Sequence, residues 1–243
     1  VNLTYLRLEI LRVIRNRRVL IFSILLPSIL EVVLGSEYKN GDVNGASATA
    51  YLMVSMGIFG ALSTAMGISG SIAVERQVGW NRQLRLTPIN PLKYIASKVL
   101  LSLFMVVPTL LVVYALGIGA LGVRLSGAVW TQIFLGSWLS ALPFAALGLV
   151  VGYLAKPDSI QQINGLVFFL LALLGGLWLP VESMPSLMRT IAKYTPTYWA
   201  VQVAHNPLFH DKVNGTAILV LLAWAVGLGV IGLRRFQADT ARA

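Results

Sequence analysis

Glu75-Arg76-Gln77-Val78-Gly79-Trp80-Asn81-Arg82-Gln83-Leu84-Arg85-Leu86-Thr87-Pro88-Ile89-Asn90-Pro91 is a polar interruption between two long apolar runs, and its reading decides the fold. If those runs cross a bilayer, as their length requires, the interruption is a short basic helix and turn on one membrane face. It ends where Pro88 and Pro91 forbid further helix. In that setting it is a handle: something soluble pushes on it, and the membrane spans on either side respond.

Composition supports the membrane setting. Of 243 residues, 57% are hydrophobic and 12% charged, against roughly 25% charged in soluble domains. One aqueous fold cannot hide that much apolar surface. Cysteine is absent, so there is no disulfide framework, thiolate metal site or cysteine nucleophile. The formal net charge of +10 could suggest nucleic acid, but its distribution explains it otherwise. Arg7, Arg12, Arg15, Arg17 and Arg18 precede the first span, and Arg76, Arg82, Arg85, Lys93 and Lys98 follow the second. Lys156 follows the fourth, and Arg234, Arg235 and Arg242 the last. The alternate connections hold only Lys39, Arg124, Arg189, Lys193 and Lys212. Such a bias is the positive-inside rule, and it places the basic side in the cytoplasm with no nucleic-acid partner.

The expected fold is an all-α membrane protein of six spans, at about 19–34, 50–74, 94–118, 129–154, 160–180 and 214–233. Windows 43–74, 99–123, 125–155, 159–181 and 213–233 hold no Asp, Glu, Lys or Arg. An even number of spans puts both termini in the cytoplasm, in agreement with the charge bias. Span 1 is short and contains Pro27 and Glu31; Glu31 is expected to reach interfacial water or a neighbouring polar group. A cleaved signal peptide is not favoured, because small-residue sites such as Ala46-Ser47-Ala48 lie too far beyond the apolar run. Residues 3–18 read as an interfacial helix with Leu3, Leu6, Ile10, Val13 and Ile14 on one stripe, which Leu8 and Leu11 leave. The alternative is a plain basic flank that orients span 1.

Small residues four apart, such as Gly57, Ala61 and Ala65, or Gly148 and Gly152, or Ala223 and Gly227, point to close helix packing or to a dimer seam. Trp130, Trp178, Tyr194, Tyr198 and Trp199 fall near outer span ends, where such rings anchor. The connection from Pro180 to Asn214 keeps helix-like apolar positions at Met184, Leu187, Met188 and Ile191, punctuated by Pro180, Pro185 and Pro196. It reads as one or two short outer helices that lie in the interface or re-enter the bundle. No linker, repeat or soluble domain is visible, and 1–243 reads as one membrane domain.

Chemistry on the chain is sparse. No Gly-x-x-x-x-Gly-Lys-Ser/Thr loop occurs, so an ATP-driven role needs a second subunit. His205 and His210 read as solvated loop residues. Gly67-Ile68-Ser69-Gly70 resembles the nucleophile motif of rhomboid intramembrane proteases, but no span carries the histidine base that such a serine needs. An ion-coupled transporter or channel relies on ionisable groups at mid-membrane, for which Glu31 is the one candidate.

Glu75-Arg76, Gly79, Leu84, Thr87-Pro88, Tyr94 and Lys98 together resemble the first cytoplasmic loop of the type 2 ABC exporter permeases. Gly176, Pro180, Met184-Pro185, Leu187, Ile191, Pro196 and Tyr198 resemble that family's outer re-entrant segment, at 180–200. The likeness to its drug- and antibiotic-resistance members covers essentially the whole chain. It departs at Trp80, where a threonine often follows the loop glycine. The resemblance implies a bacterial plasma-membrane exporter of amphipathic or hydrophobic cargo, built from two permease subunits, identical or homologous, over two separate ATP-binding subunits. ATP and Mg would sit on the partners, with no cofactor on this chain. The loop 75–91 would fit a cleft on the ATPase, with Glu75 and Arg76 orienting it by ion pairing or helix-end charge. Gly79, Trp80, Leu84, Arg85, Leu86, Thr87 and Pro88 would form the rest of the contact. Pro180, Met184, Pro185, Leu187, Ile191, Pro196 and Tyr198 would shape an outer gate.

Overall fold

The computed structural model describes residues 3–15, 21–38, 41–43, 45–77, 91–178, 180–209 and 214–241. Helix dominates. Helix α1 (Leu3–Arg15) is followed by a π-helical turn (Ile21–Leu25) that runs directly into α2 (Leu26–Glu37). A two-residue hairpin, Asp42–Val43 with Ala46–Ser47, leads to α3 (Ala48–Gly70) and, across Ser71, to α4 (Ile72–Gln77). Then come α5 (Pro91–Gly119), α6 (Gly127–Leu154), α7 (Ile160–Leu174), the short α8 (Ser186–Ala192) and α9 (Pro196–His205), and α10 (Gly215–Ala241).

Among the described residues, four helical stretches are long and apolar enough to cross a membrane: α3–α4, α5, α6 and α10. The helix α7, at 15 residues, spans about 22 Å at 1.5 Å per residue, less than a typical hydrocarbon core. It stops at Leu174, short of residue 180, because Gly176 adopts φ 84°, a left-handed geometry that ends helices and suits glycine. Elsewhere the boundaries follow local chemistry. Ser126 caps α6 by accepting from the Val129 amide. Thr195 accepts from the Tyr198 amide ahead of Pro196 in the first turn of α9.

The centre of the bundle is α3, with 20 of its 23 residues buried. Its small residues let neighbours close in. A Cβ on Gly148 of α6 would lie 2.7 Å from the Met66 carbonyl oxygen, and one on Gly152 would lie 3.1 Å from that of Gly70. The expected small-residue packing is therefore an α3–α6 contact here. Ala223 and Gly227 differ: they line an apolar surface groove on α10, and a Cβ on Gly227 would meet nothing within 4 Å. Hydroxyls stitch α3 to α5 along their length, with Ser69 to Ser102 at 2.9 Å and Thr64 to Thr109 at 3.1 Å. Tyr114 continues the series to Ser137 of α6 at 2.6 Å. On α1, Ile10 and Val13 pack against Ile68, Leu101 and Met105, while Leu8 and Leu11 face outward.

Candidate functional site

The root of the loop is an ion cluster. Glu75 and Lys98 are each 1% exposed, yet both are charged groups. Burial of this kind persists only when charges pair and hydrogen bonds fill the remaining positions. Lys98 Nζ lies 2.5 Å from Glu75 Oε1 and 2.8 Å from Glu9 Oε2. Arg12 Nη1 reaches Glu75 Oε1 at 3.1 Å and Glu9 Oε1 at 3.8 Å. The Tyr94 hydroxyl donates to Glu75 Oε2 at 2.7 Å. Two carboxylates thus meet two cations.

Helical spacing makes this arrangement possible. Tyr94 and Lys98 are four apart on α5 and share the face that meets Glu75; Glu9 and Arg12 are three apart on α1. Ser71 lies four before Glu75 and donates to the Ile68 carbonyl at 2.7 Å, holding the turn from which α4 starts. The cluster therefore ties α1, α4 and α5 together. In the chain, Glu75 precedes residues 78–90, and Tyr94 and Lys98 follow them. Next to the cluster, Arg76 Nη1 donates to the Tyr153 carbonyl at 3.0 Å and lies over the Tyr153 ring. Ile72, Tyr94, Tyr153 and Phe236 pack together there, joining α4, α5, α6 and α10.

Of the residues expected in the handle, Glu75 and Arg76 lie in this cluster and beside it, and both are turned into the bundle. Gly79, Trp80, Leu84, Arg85, Leu86, Thr87 and Pro88 lie outside the described residues. Glu9 was missed by sequence reading, and Arg12 was counted only as orienting charge. The available signal was a lone glutamate three residues before an arginine on a basic helix.

At the other end of α3, the segment after α7 folds back on the bundle. Met184 is buried with Val181 and Ala192 against the half-buried Met188 and Tyr198, and Pro196 is buried at the start of α9. Pro180 borders a cavity, whereas Pro185 is exposed. Leu187, at 71% exposure, and Ile191 face outward. His205 is not a solvated loop residue. It is 3% exposed on α9, its Nδ1 is 3.0 Å from the Val201 carbonyl and its Nε2 is 3.1 Å from Ser55 Oγ. Burial, partly offset by contacts with the Val201 and Tyr51 carbonyls, pushes its imidazole down to about 4. His210 lies outside the described residues.

Two further expectations change. Glu31 does not reach interfacial water: it is 0% exposed, and among the described residues neither carboxylate oxygen has a hydrogen-bond partner. Its neighbour is Gly117, where a Cβ would sit 2.9 Å from Oε1. Ser69 bonds Ser102, and the histidine that does meet a serine, His205, meets Ser55 some fourteen residues away along α3, roughly 21 Å. Ser55 is itself 0% exposed, so that pair links helices and offers no open nucleophile.

An apolar helical bundle whose ion pairs, among the described residues, gather at one end is the architecture of a membrane-embedded protein. The chain belongs to the ABC-2 type transporter family, whose sequence profile matches residues 2–209. It is 27% identical over 217 residues to YvfS of Bacillus subtilis (strain 168), whose name carries the words transport permease, with 89% of each chain covered. It is 28% identical over 181 residues to the inner membrane transport permease YhhJ of Escherichia coli (strain K12). That match covers 71% of this chain and 48% of YhhJ, so the chain spans about half of that relative.

Proposed function

We propose that this chain is the membrane-spanning subunit of an ATP-driven exporter. It pairs with a second permease subunit, identical or homologous, and two separate ATP-binding subunits dock beneath the basic end. In this reading the chain has six spans in a bacterial plasma membrane, with both termini cytoplasmic. The π-turn with α2, and α7 with the residues after it, supply the two spans beyond the four long helical stretches. The helix α1 lies in the inner interface, and α8 and α9 form the outer re-entrant segment, where the proline-punctuated stretch shapes a gate. The transport subunit is not itself the enzyme; ATP and Mg belong to its partners.

The observation that carries the proposal is the position of the ion cluster. Glu75 stands before the loop and Tyr94 and Lys98 after it, and all three are joined, with α1 clamped to the same point. A push on residues 78–90 therefore reaches α1, α3 and α5 as one body, and packed helices switch between discrete arrangements. ATP biases the membrane halves only by binding more tightly to one arrangement than to the other. An interior stitched by hydroxyls and nearly free of fixed charge suits amphipathic or hydrophobic cargo, such as a drug, an antibiotic or a lipid.

Tyr94→Phe tests the clamp, since it removes one hydrogen bond to Glu75 and keeps both ion pairs and the ring packing. In inverted vesicles holding the complex, export of a fluorescent lipophilic dye per ATP hydrolysed should fall severalfold, with the ATP-binding subunit still bound. Dye exported per ATP at the parent's level would remove the clamp from the mechanism.

A further inference from the structure

The end of the bundle opposite the ion cluster holds a polar feature that the clamp does not use. A cavity of 320 Å³, within the range of small-molecule sites, lies between the first turn of α3 and the segment that folds back over it. Tyr51, Glu182, Gln202, His205, Asn206 and Phe209 supply its chemistry. Among the described residues, Glu182 is the one formal charge on the wall, and its carboxylate has no ion pair or hydrogen bond. Its field reaches the Tyr198 phenol, which burial first and Glu182 second push above its ordinary value. His205 adds no positive charge near neutral pH, because burial outweighs its contacts with the Val201 and Tyr51 carbonyls and pushes its imidazole down to about 4.

We propose that this cavity binds an organic monocation, an amine or quaternary ammonium group on an apolar body. Glu182 is the counter-charge, the Gln202 and Asn206 amides are hydrogen-bond partners, and the rings of Tyr51 and Phe209 lie against the apolar part. An anion would meet the Glu182 carboxylate with no cation on the wall, among the described residues, to offset it. A neutral analogue of the same shape would gain the rings but not the charge. A cation gains both, since aromatic faces and a carboxylate each attract it. As a cargo site this rests on the export reading; as a binding site it stands on the cavity and its wall.

The test uses the chain alone in lipid nanodiscs, with no nucleotide and no ATP-binding subunit. Benzyltrimethylammonium and neopentylbenzene, its uncharged carbon analogue, are titrated by saturation-transfer NMR, with empty nanodiscs subtracted. The cation should bind saturably and about tenfold more tightly than the analogue. Glu182→Gln should weaken the cation by about tenfold and leave the analogue unchanged. Gln202→Trp, which fills the cavity, should abolish both. Absence of saturable binding, equal affinity for the two probes, or a Glu182→Gln chain of parental thermal midpoint and parental cation affinity would overturn the proposal. Failure here leaves ATP-driven export standing, and failure of export leaves this binding result standing.

Discussion

Lys98→Met removes the charge that holds the ion cluster together while keeping an unbranched apolar side chain at a position only 1% exposed. In the parent, Glu9 and Glu75 face Lys98 and Arg12. Without Lys98, two carboxylates share Arg12, whose side chain is 50% exposed and lies 3.1 Å from one and 3.8 Å from the other. Removing one partner of a buried pair costs about 3–5 kcal/mol. For a chain of this size each kcal/mol moves the unfolding midpoint by about 2–4 °C, so a drop on the order of 10 °C is expected. Adding Glu75→Gln to Lys98→Met leaves Glu9 facing Arg12, one charge of each sign, and should restore more than half of the loss. The assay is thermal unfolding in nanodiscs, followed through the six tryptophans. The non-additivity of the two changes should exceed about 1 kcal/mol. A Lys98→Met midpoint within about 2 °C of the parent, or a double variant that simply sums the single losses, would show that these four charges do not act as a unit.

Three other outcomes are expected. Gly148→Val should destabilise by about 1–3 kcal/mol, because its Cβ would press on the Met66 backbone at 2.7 and 2.9 Å, whereas Gly227→Ala on the open groove should be neutral or slightly stabilising; midpoints in nanodiscs compare them. The depressed pKa of His205 stabilises the fold fully above its unfolded value of about 6.5, and that stability drains as pH falls toward about 4. The parent should therefore lose about 3 kcal/mol over that window relative to His205→Gln, and parallel stability curves for the two would count against it. The cysteine-free chain allows single-cysteine mapping of sidedness: in intact cells an impermeant thiol reagent should label Thr190→Cys and spare Gln237→Cys, and the reverse would invert the proposed topology.

What was legible in the sequence followed from periodicity and from charge. Apolar runs free of charged residues mark α3, α5, α6 and α10, and the glycines of α6 announce a close partner helix. The π-turn before α2 has no such signature, since Ile21–Leu25 is as apolar as an ordinary turn. Glu75, Tyr94 and Lys98 could be picked out by resemblance, but not the fact that they close on one another across the loop. That closure needs the antiparallel return of α5 along α3, a tertiary fact. Glu9 was invisible for the same reason, because its partner lies 89 positions away. Two isolated polar residues misled in the same direction, since both were expected to meet water and both are buried. His205 looked like a loop residue because the helix that buries it is short and bounded by prolines. Glu31 looked as if it could reach water, yet the packing of α2 against α5 seals it.

The division of labour between this chain and a separate ATPase can be checked by purifying the tagged chain from its native membranes in mild detergent and weighing what accompanies it. A soluble protein with a Gly-x-x-x-x-Gly-Lys-Ser/Thr loop should be present in equimolar amount, and replacing residues 79–90 with a Gly/Ser linker should release it while the chain keeps its thermal midpoint. A chain that purifies without any such protein, or that holds it equally well after the replacement, would contradict the export mechanism.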